Sequence, residues 1–222
     1  MPGRCPRRRA GRWRRFELVD FDEATLDALK RRAKKQLRQR MRALRGVVPA
    51  AARSSRSAAI VDRLLSLPEL AGARTIGLFW PMEGRSEVDL GLLDASCRER
   101  GATVCYPFIR DGDEGRSTGF SPVSAPSDLV DAGHGFLEPP ATAPACRPGE
   151  LEVIVVPALA VSEQGHRLGY GSGFYDEILP RFRPPALAIV VAYDFQLLAE
   201  LPSTPHDVPC DIVITDARTI RV

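Results

Sequence analysis

The sequence lacks several features that would place it in a specialised class of protein. Its longest uncharged apolar stretch, residues 186–193, is far shorter than the roughly 20 residues needed to cross a bilayer, so we expect no transmembrane helix. The five cysteines lie far apart, without a CxxC pair for zinc and without a secretory hydrophobic region before them. There are no internal repeats. We therefore expect a cytoplasmic globular protein with reduced thiols.

Positive charge is concentrated at one end of the chain. The 222 residues carry a net charge of only +3, and 44% of them are hydrophobic, which is ordinary for a globular protein. Residues 1–61, however, hold 18 Lys and Arg against 5 Asp and Glu, whereas the remainder holds 13 against 23. Such a basic segment indicates a nucleic acid, a membrane surface or an anionic small substrate as the partner.

The first residues contribute arginine without apolar side chains. Residues 1–15 hold seven arginines together with glycine and proline, a composition with nothing to bury. This composition predicts a disordered basic extension over residues 1–19 and one folded domain over residues 20–222. Nucleic-acid binding by the extension is an alternative role, although Trp13 is the single aromatic residue among residues 1–15 that could stack on bases.

An amphipathic helix is predicted from Asp20 to Gly46. Asp20 to Glu23 resembles a capping box, and apolar residues recur at steps of three or four. The opposite face is strongly basic and carries Lys30, Arg31, Lys34, Lys35, Arg38 and Arg42. Like charges on one helix repel, so a nearby anion would stabilise this arrangement.

The rest of the chain alternates between strand and helix patterns. Apolar strands are predicted at residues 74–80, 103–107, 119–121, 151–156, 187–192 and 211–215. Helices are predicted through residues 58–65, from an N-cap at Ser86 to Gly101, over 175–179 and over 196–201. This rhythm predicts an α/β fold, a single Rossmann-like domain with a mainly parallel sheet. Such sheets bind ligands beyond the carboxyl ends of their strands.

A glycine-rich stretch between Glu163 and Asp176 is the strongest local motif. Its alternating glycines can bring backbone N–H groups against a ligand, and Arg167 can add a bidentate contact to a phosphate. Asp176 is suited to a hard cation. The spacing fits neither the dinucleotide fingerprint nor the Walker pattern, so an ordinary turn between strand and helix remains an alternative.

Several motifs taken together resemble the 5-formyltetrahydrofolate cyclo-ligase family, also called 5,10-methenyltetrahydrofolate synthetases. The resemblance runs from about Lys34 to about Asp216. In chain order the matching motifs are Lys34-Lys-Gln-Leu-Arg38, Glu87-Val-Asp89, Glu138-Pro139, the loop from Arg167 to Asp176, and the separate residues Gln196, Pro202 and Asp207. Their shared order and spacing are more specific than the glycine loop alone.

The resemblance implies a fold related to sugar-phosphate isomerases and CoA transferases, and an ATP- and Mg²⁺-dependent reaction. In it, the formyl oxygen of 5-formyltetrahydrofolate is phosphorylated, N10 attacks the carbon, and phosphate leaves to give 5,10-methenyltetrahydrofolate. The implied catalytic residues are Arg167, Lys34 and Arg38. The implied folate contacts are Glu87, Met82 and Tyr175, and the implied Mg²⁺ ligands are Asp176 and Asp207. The implied ATP contacts are Lys34, Lys35, Arg38, Arg167, Leu168, Gly169, Tyr170, Gly171, Ser172, Gly173, Phe174 and Tyr175. We expect a monomer that acts in one-carbon metabolism and requires neither a membrane nor nucleic acid.

Other interpretations of these residues stay open at this point. Glu87 could be a helix N-terminal acid, and Asp207 could be a turn residue before a proline. His166 and His206 are candidates for acid–base chemistry, with His134 a weaker one. A non-catalytic nucleic-acid-binding or regulatory protein is the alternative function, and an isomerase or CoA transferase of the related fold is a third.

Overall fold

The computed structural model describes residues 22–112, 115–204 and 206–222. The predicted disordered extension over residues 1–19 lies outside this part of the chain. The helices are α1 Glu23–Gly46, α2 Ala50–Leu65, α3 Pro68–Gly72, α4 Gly91–Glu99 and α5 Phe174–Phe182. The strands are β1 Thr75–Gly77, β2 Thr103–Gly112, β3 Gly115–Pro122, β4 Val130–Asp131, β5 Leu137–Glu138, β6 Val153–Pro157, β7 Ala160–Ser162, β8 Arg167–Leu168, β9 Leu187–Val191, β10 Leu197–Leu198, β11 Ile212–Ile214 and β12 Thr219–Arg221.

A seven-stranded sheet forms the centre of the molecule, in the order β12-β11-β9-β6-β1-β2-β3. Strands β11, β9, β6, β1 and β2 run parallel to their neighbours, while the edge strands β12 and β3 are antiparallel. The predicted α/β class with a mainly parallel sheet is therefore confirmed. Among the described residues no helix is both long and apolar enough to cross a membrane.

Alternating side chains of the central strands build a core on each face of the sheet. Val153 and Val155 of β6 pack on one face with residues of α2 and α4, while Ile154 and Val156 pack on the other face with α5. The apolar runs of β6 and β9 are continuous because both faces of a parallel sheet are covered. Burial on both sides fixes the register of these strands.

The strand order of the sheet reverses between β1 and β6, which is the topological switch point. From β1 the chain adds β2 on one side, and from β6 it adds β9 and β11 on the other. The carboxyl ends of β1 and β6 therefore diverge into loops that leave a crevice between them, which is where such sheets bind ligands.

A small second sheet supports helix α1 beside this crevice. Strands β7, β8 and β10 form it in the order β10-β7-β8. Met41 of α1 packs with Leu159, Ala160 and Leu168, and all four side chains are buried. The apolar side of α1 thus packs on the small sheet through Leu37 and Met41, whereas Leu26, Leu29 and Leu44 are exposed. Of its basic residues, Lys34, Arg38 and Arg42 line the crevice.

Two local predictions are wrong. Ser86 does not cap a helix, since α4 begins at Gly91 after the N-cap residue Leu90 and Ser86 has a φ of 53°. The predicted helix over residues 196–201 is a short 3-10 turn, Asp194–Gln196, followed by β10. In each case a tertiary contact replaces the local preference.

The turn of the β7–β8 hairpin gives a first prediction. Gly165 has a φ of 76°, and a Cβ there would collide with the carbonyl oxygen of Cys210. We expect Gly165→Ala to lower the free energy of unfolding by roughly 2–4 kcal/mol, from backbone strain plus overpacking. Urea denaturation of the purified variant measures this loss.

Gly133→Ala is the matched control. Gly133 has a similar φ of 87°, but no atom lies within 4 Å of an added Cβ. Backbone strain alone predicts a loss of roughly 1–2 kcal/mol. Equal losses for the two variants would show that the contact with Cys210 does not matter.

Candidate functional site

The crevice at the switch between β1 and β6 is a pocket of about 560 Å³. Its lining comes from α1, the loop after β1, strand β2, the segment 134–136, the glycine loop and Asp207. Six Lys and Arg side chains and three Asp and Glu side chains face it. The pocket therefore favours an anionic ligand.

Helix α1 contributes a row of cations to one wall. Lys34 Nζ donates to both carboxylate oxygens of Asp207, at 2.8 and 2.6 Å. One turn later, Arg38 Nε donates to the carbonyl oxygen of Gly169 at 2.9 Å. Their spacing of four residues places both side chains on the same face of the helix. The row thus connects α1 to the glycine loop and to the loop that carries Asp207.

The glycine loop packs directly on this row. Gly171 has a φ of 116°, and a Cβ there would lie 3.4 Å from the Arg38 guanidinium carbon. Gly173 has a φ of 74° and is the N-cap residue of α5. Gly169, in contrast, is not among the positive-φ glycines. The loop therefore lines the pocket closely and leads into the N-terminus of α5, an arrangement suited to phosphate.

Arg167 and Asp176 are held together at the two ends of this loop. Arg167 Nη2 donates to Asp176 Oδ1 at 2.8 Å, and Arg167 Nη1 donates to the carbonyl oxygen of Val208. The Arg167 side chain is 4% exposed, whereas that of Asp176 is 34% exposed. Asp176 therefore keeps part of its carboxylate accessible from the pocket.

A buried carboxylate marks the opposite side of the pocket. Glu87 is 7% exposed, accepts a hydrogen bond from the Met82 N–H at 2.9 Å and another from the Tyr170 hydroxyl at 3.1 Å. Arg45 of α1 lies 3.9 Å from Glu87 and donates to the Tyr170 hydroxyl oxygen. Glu87 is thus fixed by three partners while one side of its carboxylate lines the cavity.

Burial shifts the pKa values of several side chains around the pocket. It raises the pKa of Glu87, against the smaller lowering effects of the Met82 N–H and of Arg45. Burial also raises the pKa of Tyr170 to about 12. For Asp207, burial acts to raise the pKa, but the hydrogen bonds from Lys34 and Thr204 outweigh it and the pKa is lowered. Asp207 is therefore an anion at neutral pH.

The remaining wall is aromatic and contains a histidine. Trp80 and Phe79 follow β1, and Phe136 contacts Phe174 with ring centroids 6.3 Å apart. His134 Nδ1 lies 2.6 Å from the buried carboxylate of Glu138, and this hydrogen bond raises the pKa of His134. This wall offers flat apolar surfaces to a ring system.

The structure brings almost all the predicted site residues to this one pocket. Those lining it are Lys34, Arg38, Met82, Glu87, Arg167, Leu168, Gly169, Tyr170, Gly171, Ser172, Gly173, Phe174, Tyr175, Asp176 and Asp207. Lys35 is exposed and does not line the pocket, because it lies on the outer face of α1. His166 and His206 do not line the pocket either, whereas His134 does. Glu87 lies before the start of α4, so its interpretation as a helix N-terminal acid is wrong.

Some residues in and around the pocket were not assigned to a binding role from the sequence. Arg42 lines the pocket, and Arg45 donates to the Tyr170 hydroxyl without lining it; both continue the helical spacing of Lys34 and Arg38, which was a usable signal. Arg85 lies with its guanidinium carbon 5.7 Å from the Tyr170 ring centroid, and only the fold brings those two residues together. His134, the weakest of the three histidine candidates in the sequence, is the one that lines the pocket.

Fold and site together define a class of protein. A parallel sheet, a glycine loop before a helix N-terminus and a row of cations form a phosphate-binding α/β protein. Aromatic surfaces and a buried carboxylate beside this region provide for a second, ring-containing ligand. The pocket therefore offers one surface suited to a phosphorylated molecule and another suited to a planar molecule.

Comparison with known proteins gives the family. Residues 30–216 match the 5-formyltetrahydrofolate cyclo-ligase family. The chain is 39% identical over 194 residues to the 5-formyltetrahydrofolate cyclo-ligase of Mycolicibacterium smegmatis, covering 85% of this chain and 96% of that protein. It is 29% identical over 158 residues to the Escherichia coli K12 protein of the same name, covering 70% and 85% of the two chains. The chain belongs to the 5-formyltetrahydrofolate cyclo-ligase family.

Solved structures agree with this assignment. The NMR structure of Aquifex aeolicus 5,10-methenyltetrahydrofolate synthetase superposes with a TM-score of 0.72 at 30% identity, over 85% of this chain and 92% of that one. A 5,10-methenyltetrahydrofolate synthetase from Mycoplasma pneumoniae shares the fold, with a TM-score of 0.64 at 20% identity over 82% and 98% of the chains. The resemblance drawn from the motifs is thus confirmed.

The buried carboxylate gives a second prediction. Because burial raises the pKa of Glu87 in the folded protein, its stabilising contribution is complete below the unfolded-state pKa and is lost as pH rises through the folded pKa. We therefore expect the free energy of unfolding of Glu87→Gln, relative to the unsubstituted protein, to increase as pH rises from 4.5 to 7. Urea denaturation at several pH values measures the difference.

Glu69→Gln serves as a control with the opposite sign. A hydrogen bond from Arg221 lowers the pKa of the half-buried Glu69, so its contribution is present above the unfolded-state pKa and is lost as pH falls. The stability deficit of this variant should therefore stay constant between pH 4.5 and 7 and shrink as pH falls below 4.5. A pH-independent difference for Glu87→Gln would contradict the first expectation.

Proposed function

We propose that this chain converts 5-formyltetrahydrofolate to 5,10-methenyltetrahydrofolate with consumption of ATP, and that the pocket at the switch between β1 and β6 is its active site. The observation that carries the proposal is the shared pocket of the Lys34–Arg38 row and the buried Glu87. One end of the pocket suits phosphate and the other suits a heterocycle. An enzyme that transfers a phosphoryl group from a nucleotide to a folate needs both ends in contact.

The phosphate end is assigned to ATP. Lys34, Arg38 and Arg167 are the cations at this end, and the loop from Leu168 to Tyr175 supplies backbone N–H groups. Phosphoryl transfer depends on positioning and on neutralisation of charge more than on a covalent nucleophile. The proposed role of these residues is to hold the triphosphate and to stabilise charge that develops during transfer.

Asp176 and Asp207 are proposed as the Mg²⁺ ligands. Both carboxylates line the phosphate end of the pocket. Among residues 22–112, 115–204 and 206–222, no three Asp, Glu, His or Cys side chains form a ready-made metal cluster. Two carboxylates suit Mg²⁺, which commonly takes one or two protein carboxylates and completes its shell with phosphate oxygens and water. When bound, the ion would neutralise phosphate charge.

The opposite end is assigned to the folate. Glu87 can accept hydrogen bonds from the exocyclic N–H groups of a pterin. Its contacts with Met82, Tyr170 and Arg45 fix the direction of the carboxylate. Tyr175 and Met82 also line the pocket and supply apolar surface beside the ring. The proposed role of Glu87 is therefore to set the position of the formyl group relative to the phosphates.

In this assignment the formyl oxygen attacks the terminal phosphoryl group of ATP and displaces ADP; N10 then attacks the activated carbon, and phosphate leaves. No protein side chain has to form a covalent bond. The aromatic wall would exclude water while the activated carbon exists. A monomer is the proposed working unit.

Turnover is the direct test. Purified protein given 5-formyltetrahydrofolate, ATP and Mg²⁺ should generate the near-ultraviolet absorbance of the methenyl product. Omission of ATP, or chelation of Mg²⁺, should abolish the signal. Absence of product at high enzyme concentration would overturn the proposal, and product formation without ATP would indicate a different reaction.

Lys34→Met tests the phosphate end. Lys34 faces the pocket with a side-chain exposure of 14% and pairs with Asp207, and methionine keeps its length but not its charge. We expect kcat/KM for ATP to fall by about 100-fold, equivalent to about 2.7 kcal/mol of lost transition-state stabilisation.

Lys35→Met is the matched control, because this neighbouring lysine is exposed and outside the pocket. It should retain the unsubstituted kcat/KM within about twofold. Thermal unfolding of both variants checks that each one is folded. Equal kinetic effects of the two substitutions would show that charge on α1 acts at long range and that Lys34 makes no specific contact.

A further inference from the structure

A second cavity lies at the opposite end of the main sheet from the crevice, where the parallel strands begin. It has a volume of about 520 Å³ and is lined at the amino ends of β1 and β2 by Thr75 and Thr103. Cys105 and Cys146 also line it, beside two arginines and two glutamates, Arg74, Arg147, Glu150 and Glu152. The proposed cyclo-ligase reaction uses none of these residues.

The two sulfur atoms are close enough to react with each other. Cys146 Sγ lies 3.3 Å from Cys105 Sγ, whereas a disulfide bond needs about 2.05 Å. The backbone already fixes both residues, since Cys105 belongs to the parallel pair β1–β2 and the Cys146 N–H donates to the Phe120 carbonyl oxygen at 2.7 Å. Bonding therefore requires a movement of little more than 1 Å, shared between two side chains.

The described cysteines differ in their exposure to solvent. Cys97, Cys105 and Cys210 are buried, and Cys146 is the only partly exposed cysteine among the described residues. The hydrogen bond between the two sulfur atoms lowers the pKa of Cys146, and the same bond, together with burial, raises the pKa of Cys105. An oxidant that enters the cavity thus meets the more nucleophilic sulfur of the pair first.

We propose that Cys105 and Cys146 form a reversible disulfide, and that the cavity beside them admits a low-molecular-weight disulfide such as oxidised glutathione as the oxidant. The Cys146 thiolate attacks one sulfur of that disulfide and releases one thiolate, which leaves a mixed disulfide on Cys146. Cys105 then loses its proton and attacks Cys146 Sγ, which releases the second thiol. The two protein thiols are oxidised, and one external disulfide is reduced to two thiols.

The bond would fasten the long connection between β3 and β6 to the main sheet. The same connection carries His134 and Phe136 in the active-site wall, and Glu138 on it accepts a hydrogen bond from the Ile109 N–H of β2. Cys146 is 41 residues from Cys105 along the chain, so the new bond closes a large loop. Large closed loops restrict the unfolded chain and raise stability. The site does not depend on the assignment of the pocket to folate or ATP.

Mass spectrometry of the full-length protein tests the proposal. After incubation with oxidised glutathione, the intact chain should lose two hydrogen atoms and yield a linked peptide that joins Cys105 to Cys146. Cys105→Ser should instead gain one glutathione at Cys146, because the resolving thiol is missing. Cys146→Ser should yield neither product. Cys5→Ser, in a residue outside the described part of the chain, should behave like the unsubstituted protein.

Thermal unfolding supplies an independent measurement. The oxidised protein should unfold at a temperature several degrees above that of the reduced protein, dithiothreitol should reverse the shift, and Cys146→Ser should show no shift. Absence of the linked peptide, glutathione attached to Cys97 or Cys210 in Cys105→Ser, or an unchanged unfolding temperature in the oxidised protein would overturn the proposal.

Discussion

The contact between the cationic row of α1 and the glycine loop is the interaction on which the proposed active site depends. Lys34, Arg38 and Arg42 stand at successive turns, and like charges at this spacing destabilise a helix by about 0.2–0.5 kcal/mol per pair. The structure offsets this repulsion with Asp207, the Gly169 carbonyl oxygen and the Tyr170 carbonyl oxygen. Part of the positive charge of residues 1–61 is therefore paired within the molecule. This pairing weakens the interpretation of these residues as a nucleic-acid-binding surface.

Tyr170 links the two ends of the pocket. Its backbone belongs to the glycine loop, while its hydroxyl contacts Glu87 and Arg45. The guanidinium carbons of Arg42 and Arg85 lie 5.2 and 5.7 Å from its ring centroid. A cation beside an aromatic ring at this distance is attracted by the negative face of the ring. Under the proposal, movement of the glycine loop on nucleotide binding would also move Tyr170 and change its hydrogen bond with Glu87. Tyr170 therefore connects the two proposed substrate positions physically.

The parts of this structure that follow local rules could be predicted from the sequence. Apolar runs at β6 and β9, helical periodicity in α1 and the glycine loop all predicted elements that the structure contains. Of the family motifs, Lys34, Arg38, Glu87, the loop from Arg167 to Asp176 and Asp207 line the pocket, whereas Glu138, Gln196 and Pro202 do not. The start of α4 was misplaced because Ser86 and Asp89 satisfy a capping pattern that the chain does not use. There Asp89 instead accepts the Gly91 N–H, and Glu87 turns inward to the Met82 N–H.

Long-range pairing explains what could not be predicted. The hairpin β7–β8 and strand β10 are each two or three residues long, too short to produce a periodic signal. Their pairing in the small sheet is set by contacts between distant segments, such as Leu197 with Val161. Arg85 and His134 reach the pocket in the same way, from loops whose positions depend on the finished sheet. Sequence patterns predicted the cations and glycines of the proposed phosphate end. The aromatic wall could be recognised only once the fold was known.

The ion pairs within the pocket suit a site that must receive a highly charged ligand. Lys34 with Asp207 and Arg167 with Asp176 hold each cation in place before any phosphate arrives, so little side-chain entropy remains to be lost on binding. The same carboxylates would repel a triphosphate. In the proposed site a divalent cation removes that repulsion, because it can bind carboxylate and phosphate oxygens together. Under this proposal the aspartates position the cations in the free enzyme and the metal in the loaded one. The aspartate paired with each cation is then as important for ligand binding as the cation itself.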